Sequence, residues 1–262
     1  MKRFIPFMKK DPEVAVVRLD GLIAAGRGLN DNGMGPVLEK AFSGKRAAVA
    51  LVINSPGGSP VQSALIGARI RRLAEEKEVP VYAFVEDVAA SGGYWLAAAA
   101  DEIFVDEASV IGSIGVISSN FGLHEAIAKI GVERRVYTAG KSKSMMDPFR
   151  PEKPADVKRL KGLLDDIHGI FINHVQSRRG AKLAEDDTLF TGEIWVGQKG
   201  VEVGLADAVG HLVPTMKDRF GDKVRFRKFG QRRSVLNRLG ARVLGDFNHG
   251  IEERAAYAQF GL

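Results

Sequence analysis

Ala47-Ala48-Val49-Ala50-Leu51-Val52-Ile53-Asn54-Ser55-Pro56-Gly57-Gly58 is the stretch that decides the fold. Its first seven residues are all apolar and end on β-branched Val52 and Ile53, the pattern of a strand buried on both faces. A proline and two glycines then break the run, and a helical pattern begins at Val61. At such a strand-to-helix junction the glycines let backbone N–H groups turn outward, and the helix adds its positive N-terminal end. The turn can hold an anion or a developing oxyanion. It equally fits an ordinary tight turn that needs a positive φ.

The same alternation extends outward in both directions. Val14–Leu19, Val79–Val85, Glu102–Val105, Ile111–Ile117 and Arg135–Tyr137 read as further short strands. Val61–Glu76 reads as a helix with Val61, Leu65, Ala68 and Leu73 on one face. A second helix is expected from Ser91 through the alanines to Ala100, and a third over Phe121–Ile130. The longest spans Ala155–Arg179, with a stripe of Val157, Leu160, Leu163, Leu164, Ile167, Phe171 and Val175. Strand and helix in repeated succession predict a parallel α/β layered fold.

The chain divides into a basic, apolar segment over residues 1–11, a body over 12–221 and a basic tail over 222–262. Its formal charge of +6 is unevenly placed. Eight Lys or Arg and no Asp or Glu lie between Lys223 and Leu244, so the body is nearly neutral to slightly acidic. From Val235 onward the tail has the spacing of a short amphipathic helix, a pattern suited to an anionic membrane surface. It carries no recognised nucleic-acid motif, and a basic helix packed on the body fits as well. No cysteine is present, which excludes disulfides, zinc-thiolate and iron–sulfur sites and a cysteine nucleophile. No apolar run reaches the ~18 residues of a membrane span, and Met1–Lys10 lacks the apolar core of a signal peptide. A cytoplasmic protein, or one peripheral to the inner face of the cytoplasmic membrane, is expected.

Ala89-Ala90-Ser91-Gly92-Gly93-Tyr94 follows the strand Val79–Val85. A serine at a helix start is ordinarily an N-cap. Here the small neighbours leave room for a substrate backbone, and Gly92 sets an N–H beside the hydroxyl, as a nucleophile with its own oxyanion donor requires. A base must then be found. His168 and His174 lie on or beside the apolar stripe of the long helix and read as packing. His211 and His249 lie near the carboxyl end, and His124 has Glu125 beside it rather than an orienting aspartate. The glycine-led loop Ala139–Pro148 offers Lys141 and Lys143 instead. Lysine becomes a base only when desolvated. Bringing it from about 10.4 to near 7 takes roughly 5 kcal/mol, which a dry pocket supplies and an open loop does not.

Five blocks now stand in order: Asn54–Gly58, Ala90–Tyr94, Ile111–Val116, Gly140–Pro148, and Phe190-Thr191-Gly192 with Gly204-Leu205-Ala206-Asp207. In that order they resemble the signal peptide peptidase A-like serine peptidases over about Val14–Gly210. The resemblance implies a Clp protease/crotonase-like fold and a Ser–Lys dyad: Ser91 as nucleophile, Lys143 rather than Lys141 as general base, and an oxyanion hole from the N–H groups of Gly57 or Gly58 with Gly92. It implies peptide substrates, with short hydrophobic peptides such as signal-peptide remnants foremost, and neither cofactor nor metal. A crotonase-type acyl-CoA enzyme would share the fold but needs neither Ser91 nor Lys143. A non-catalytic scaffold would be expected to have lost one of the two. A histidine-dependent Clp-type peptidase would need its histidine near Val116. A single-domain member must enclose its cleft by assembly, so a homo-oligomer, a tetramer or larger, is expected. The dyad could then be completed across an interface.

Overall fold

A computed structural model describes residues 11–26, 28–140, 142–230 and 253–262. The expected membrane-facing helix from Val235, His249, and the segment Met1–Lys10 fall outside the described residues.

Three adjacent parallel strands form the centre: β1 (Glu13–Asp20), β2 (Ala48–Ser55) and β3 (Val81–Ala90). Their alternate residues separate two cores. Ala15, Val17, Leu19, Val49, Leu51 and Ile53 face a layer of helices α1 (Asp31–Phe42), α2 (Pro60–Lys77) and α3 (Gly92–Ala98). Val14, Val16, Ala48, Ala50 and Val52 face the other way, against Met216 and Leu212. Burial on both faces is why these strands read as continuous apolar runs.

The sheet forks at β3. Tyr82–Val85 pairs with β4 (Glu102–Val105), whereas Val88–Ala90 pairs with β5 (Val110–Gly112). Exposed Glu86 and Asp87 mark the change of partner. After β5 come the short α4 (His124–Lys129) and the long α5 (Pro154–Arg179). Then follow β6 (Ile194–Val196), antiparallel to β5, α6 (Gln198–Glu202), β7 (Ala208–Val209) against β4, and α7 (Leu212–Phe220). The last strand, β8 (Arg225–Phe229), pairs in parallel with the free side of β1. The basic stretch after residue 221 therefore opens with a strand of the main sheet. Among the described residues, no helix is long and apolar enough to cross a membrane.

Several sequence expectations are revised. Helix α1 was not foreseen, because Gly33, Gly35 and Pro36 all argue against a helix interior. It forms because Asn30 caps it, accepting from the Gly33 N–H at 2.9 Å, and because bare Gly35 lets Arg69 of α2 lie across it to reach Asp31. On α2 the buried stripe is Ile66, Ile70, Leu73 and Ala74, while Val61, Leu65 and Ala68 face outward. The strand expected over Ile111–Ile117 ends at Gly112, where φ reaches +105 and that of Ser113 +49. Arg135–Tyr137 forms no strand, and the helix expected over Phe121–Ile130 shrinks to α4 with no buried residue. Of the long stripe on α5, only Phe171 and Val175 are buried.

One carboxylate ties the distal elements together. Asp207 accepts from Arg179 at 2.8 Å, from Lys182 at 2.6 Å and from the Ile103 N–H at 2.7 Å. Arg179, buried at the end of α5, also donates to Gly204 O. Burial works against the Asp207 charge, yet these donors outweigh it and hold the carboxyl below its ordinary value. A lowered native value means the stability contributed is complete above the unfolded value of about 3.9. It is lost as pH falls through the native one. Asp207→Asn should therefore cost about 3 kcal/mol at neutral pH, the scale for leaving a buried partner uncompensated. Denaturation midpoints of the two proteins should converge as pH drops below about 4.

Candidate active site

Strand β3 ends at Ala90, and the next residue, Ser91, turns the chain abruptly into α3. Ser91 has φ +51 and ψ −121, a region that non-glycine residues rarely occupy. Its N–H donates to Gly112 O at 2.8 Å, and its carbonyl accepts from the Trp95 N–H at 3.0 Å. Its side chain makes no cap hydrogen bond to α3. The ordinary N-cap role is thus not what holds the hydroxyl, which stands free at a strained strand-to-helix corner.

The Asn54–Gly58 turn lies directly against that corner. A Cβ placed on Gly57, where φ is +102, would fall 2.8 Å from Ala90 O, Gly92 N and Ser91 Cβ alike. Only a bare α-carbon allows the two loops this approach. The Gly57 N–H already donates to Ser55 Oγ at 3.2 Å, and Ser55 Oγ in turn donates to Gly21 O at 2.7 Å. Gly92 opens α3, so its N–H has no partner inside the helix. The structure therefore brings Gly57, Gly58, Ser91 and Gly92 together.

Gly58, Ser91 and Gly92 border a cleft of about 560 Å³. Pro56, Gly58, Ser91, Gly92 and Ser113 lie along it, with Leu22, Trp95, Ile167 and Phe171 supplying apolar surface. Trp95 stacks on two rings of α5, Phe171 at 5.1 Å between centroids and His174 at 4.4 Å and nearly parallel. His174 Nε2 lies 3.1 Å from Trp95 O, and burial lowers its basicity. His168 Nε2 lies 3.0 Å from Ile114 O. Both histidines brace α5 against the cleft rather than entering it. Fully buried Tyr94 donates to Leu205 O at 2.8 Å and anchors α3 to the Asp207 turn.

Lys143 is not among the residues that line this cleft. It is exposed on the Ala139–Pro148 loop, its N–H donating to Gly140 O. Lys141 falls outside the described residues. His124 borders a separate pocket with Ser144, Met146 and Asp147, and His211 lies 3.6 Å from Asp106 near the surface. Among the described residues, no group of three or more His, Asp or Glu is placed to hold a metal ion. Two cleft features escaped the sequence reading. Ser113 stood inside the quoted Ile111–Val116 block without a role. Ala256, Gln259 and Phe260 reach the cleft from the far end of the chain.

The model of "Peptidase family S49" matches residues 73–218, which include Ser91, the Lys143 loop and Asp207. The chain belongs to peptidase family S49. Two relatives carry protease names: the chloroplastic serine protease SPPA of Arabidopsis thaliana, 31% identical over 76% of this chain, and protease 4 of Haemophilus influenzae, 31% identical over 76%. A Brucella melitensis protein named as the Na(+)/H(+) antiporter NhaA is 45% identical over the whole of this chain. The chain spans only 31%, 33% and 39% of the lengths of these three. Among solved structures, a membrane-bound stomatin-specific protease superposes with a TM-score of 0.51 at 14% identity, covering 83% of this chain and 97% of its own. That likeness concerns the fold.

The packing of the corner can be tested apart from any chemistry. Gly57→Ala should lower stability by about 2 kcal/mol, through both its positive φ and the crowding. Gly162, inside α5 with open space around its α-carbon, provides the contrast. Gly162→Ala should raise stability by roughly 0.5–1 kcal/mol. Urea denaturation of both variants reads the difference.

Proposed function

We propose that this chain is a serine endopeptidase that uses Ser91 as nucleophile and Lys143 as general base. The observation that carries the reading is the Ser91 corner: a strained serine whose hydroxyl caps nothing, pressed against a glycine turn and open to a cleft. Such strain is characteristic of nucleophiles held out for attack at the end of a strand. The neutral Lys143 amine would take the Ser91 proton as Oγ attacks the peptide carbonyl. The oxyanion would be received by N–H groups of Gly92 and of Gly58, whose amide is not committed to Ser55 as that of Gly57 is. The lysine ammonium would then return the proton to the departing amine, and water would cleave the acyl-enzyme by the same route in reverse.

Lys143 would be supplied by a neighbouring copy: it does not line the Ser91 cleft of its own chain, and a lysine serves as a base near neutrality only in a dry setting worth roughly 5 kcal/mol, such as an interface provides. The surface around that loop supports assembly. Ile117, Phe121, Ile130 and Tyr137 are 75–91% exposed, and Leu163 and Ile170 stand out from α5. Isolated exposed apolar residues are ordinary, but a group of this size on one stretch marks an interface. The apolar walls of the cleft favour short hydrophobic peptides. The transport named in the Brucella relative is not carried over, since this chain spans only 39% of that protein.

Ser91→Ala should abolish peptide hydrolysis, and Lys143→Ala should lower kcat/KM by about a thousandfold or more, since paired groups fail together. Lys141→Ala and His124→Ala should retain most activity. Mass spectrometry after a serine-directed fluorophosphonate should find the label on Ser91. An essential Lys141 with a dispensable Lys143 would shift the assigned base by two residues, and an essential His124 would end the dyad reading.

Light scattering should report a tetramer or larger. Mixing Ser91→Ala with Lys143→Ala chains should restore part of the activity, because some interfaces then hold one intact pair. A fully active monomer excludes a shared site.

A further inference from the structure

The last ten residues return to the catalytic corner. Residues 253–258 form a helical turn that runs on to Leu262. Tyr257 and Phe260 pack against Val88, Ala90 and Val110, a small cluster separate from the two main cores. Those three residues belong to the ends of β3 and β5 that present Ser91. The Tyr257 hydroxyl donates to Asn54 O at 2.7 Å, at the start of the glycine turn. Burial pushes the Tyr257 hydroxyl up to about 12, so it remains a donor at every working pH. Glu253 lies close over Gly21, where any side chain would strike its carboxylate.

The segment is thus fixed by the apolar cluster and by the Tyr257 bond to Asn54, and its spacing assigns two roles. Tyr257 and Phe260, three apart, share the face toward the strand ends. Ala256, Gln259 and Phe260, at positions i, i+3 and i+4, share the face that lines the cleft with Ser91, Gly92 and Ser113. Phe260 belongs to both, so its ring is held from behind while its edge borders the space a substrate would enter. A helical turn cannot pair with a peptide as a strand does. It can only bound the room beside it.

We propose that the C-terminal segment is a substrate-selecting wall of the Ser91 cleft, with Phe260 limiting the size of the peptide side chain accepted against it. This rests on the peptidase reading above. In a packed site, each methylene gained or refused shifts relative kcat/KM by about 10-fold or more. The wild-type enzyme should prefer alanine or glycine at the substrate position facing Phe260, and Phe260→Ala should shift preference at that position toward leucine or phenylalanine.

The test uses the full chain and a peptide set in which each position around the cut bond is varied in turn between Gly, Ala, Leu and Phe. For Phe260→Ala, the Leu-to-Ala ratio of kcat/KM should rise about 10-fold at one position and stay level at the others. Phe260→Trp should move the same ratio the opposite way, and it retains an aromatic anchor for the segment. Tyr257→Phe, which loses only the hydroxyl bond to Asn54, should shift the ratio in the direction of Phe260→Ala by a smaller factor. A merely structural role would lower all peptides alike. Unchanged ratios in both Phe260 variants, with the wild type cutting peptides, overturn the wall and leave the peptidase reading intact. A wild-type chain that cuts none of the peptides, and takes no label on Ser91, overturns both.

Discussion

The Asp207 carboxylate is the point at which the architecture closes. Its two oxygens take three hydrogen bonds from elements distant in sequence: the end of α5, the turn after it, and the start of β4. Arg179 carries the link on to Gly204 O, and the buried Tyr94 hydroxyl reaches Leu205 O beside it. Tyr94 sits in the first turn of α3, three residues after Ser91. The carboxylate that stabilises the far layer therefore also fixes the helix that must follow the strained serine. A φ of +51 at a non-glycine residue costs on the order of 1–3 kcal/mol and survives only where its surroundings leave no alternative. Asp207, Tyr94 and the Ser91–Gly112 bond supply those surroundings.

The division of labour around Ser91 is also clear. The two glycine segments make the corner close and narrow, and Trp95, stacked on Phe171 and His174 of α5, makes it rigid. The histidines contribute through their rings and one backbone contact each, not through proton transfer. Lys143 lies on the stretch between β5 and α5, where almost nothing is buried.

Much of this was legible in the sequence because it is written in local chemistry. Apolar runs such as Ala47–Ile53 and Val79–Val85 can only be buried strands, and the Asn54–Gly58 turn announced itself through proline and glycine. The misses have equally definite causes. Helix α1 depends on Arg69, thirty-odd residues away, lying across Gly35, which no propensity can anticipate. Strand β5 stops at Gly112 because the chain must turn there to border the cleft, and nothing in Ile111–Ile117 signals it. The outward face of α2 was mistaken because Val61 and Leu65 satisfy a helical period without being on the buried side. Lys143 was singled out by the family resemblance alone, since a lysine on an exposed loop carries no local signal of a catalytic role. The closeness of Phe260 to the cleft is a tertiary fact with only a weak local trace, the i, i+3 spacing of Tyr257 and Phe260.

The pairing of β8 with β1 also has a consequence in time. Glu13 lies opposite Arg225, so β1 leaves the ribosome long before β8, the strand that covers its outer edge. In the interval β1, β2 and β3 can already pair through their helical crossovers, leaving the edge of β1 as a row of unpaired amides and carbonyls. Such edges invite the wrong neighbour, and contacts this far apart form slowly. The edge charges Arg18 and Asp20 near the end of β1, together with the basic residues of β8 itself, fit a strand that has to stay soluble while it waits. Synthesis halted before residue 225 would release a chain with an intact Ser91 corner and an open sheet edge, a species prone to aggregate rather than to work.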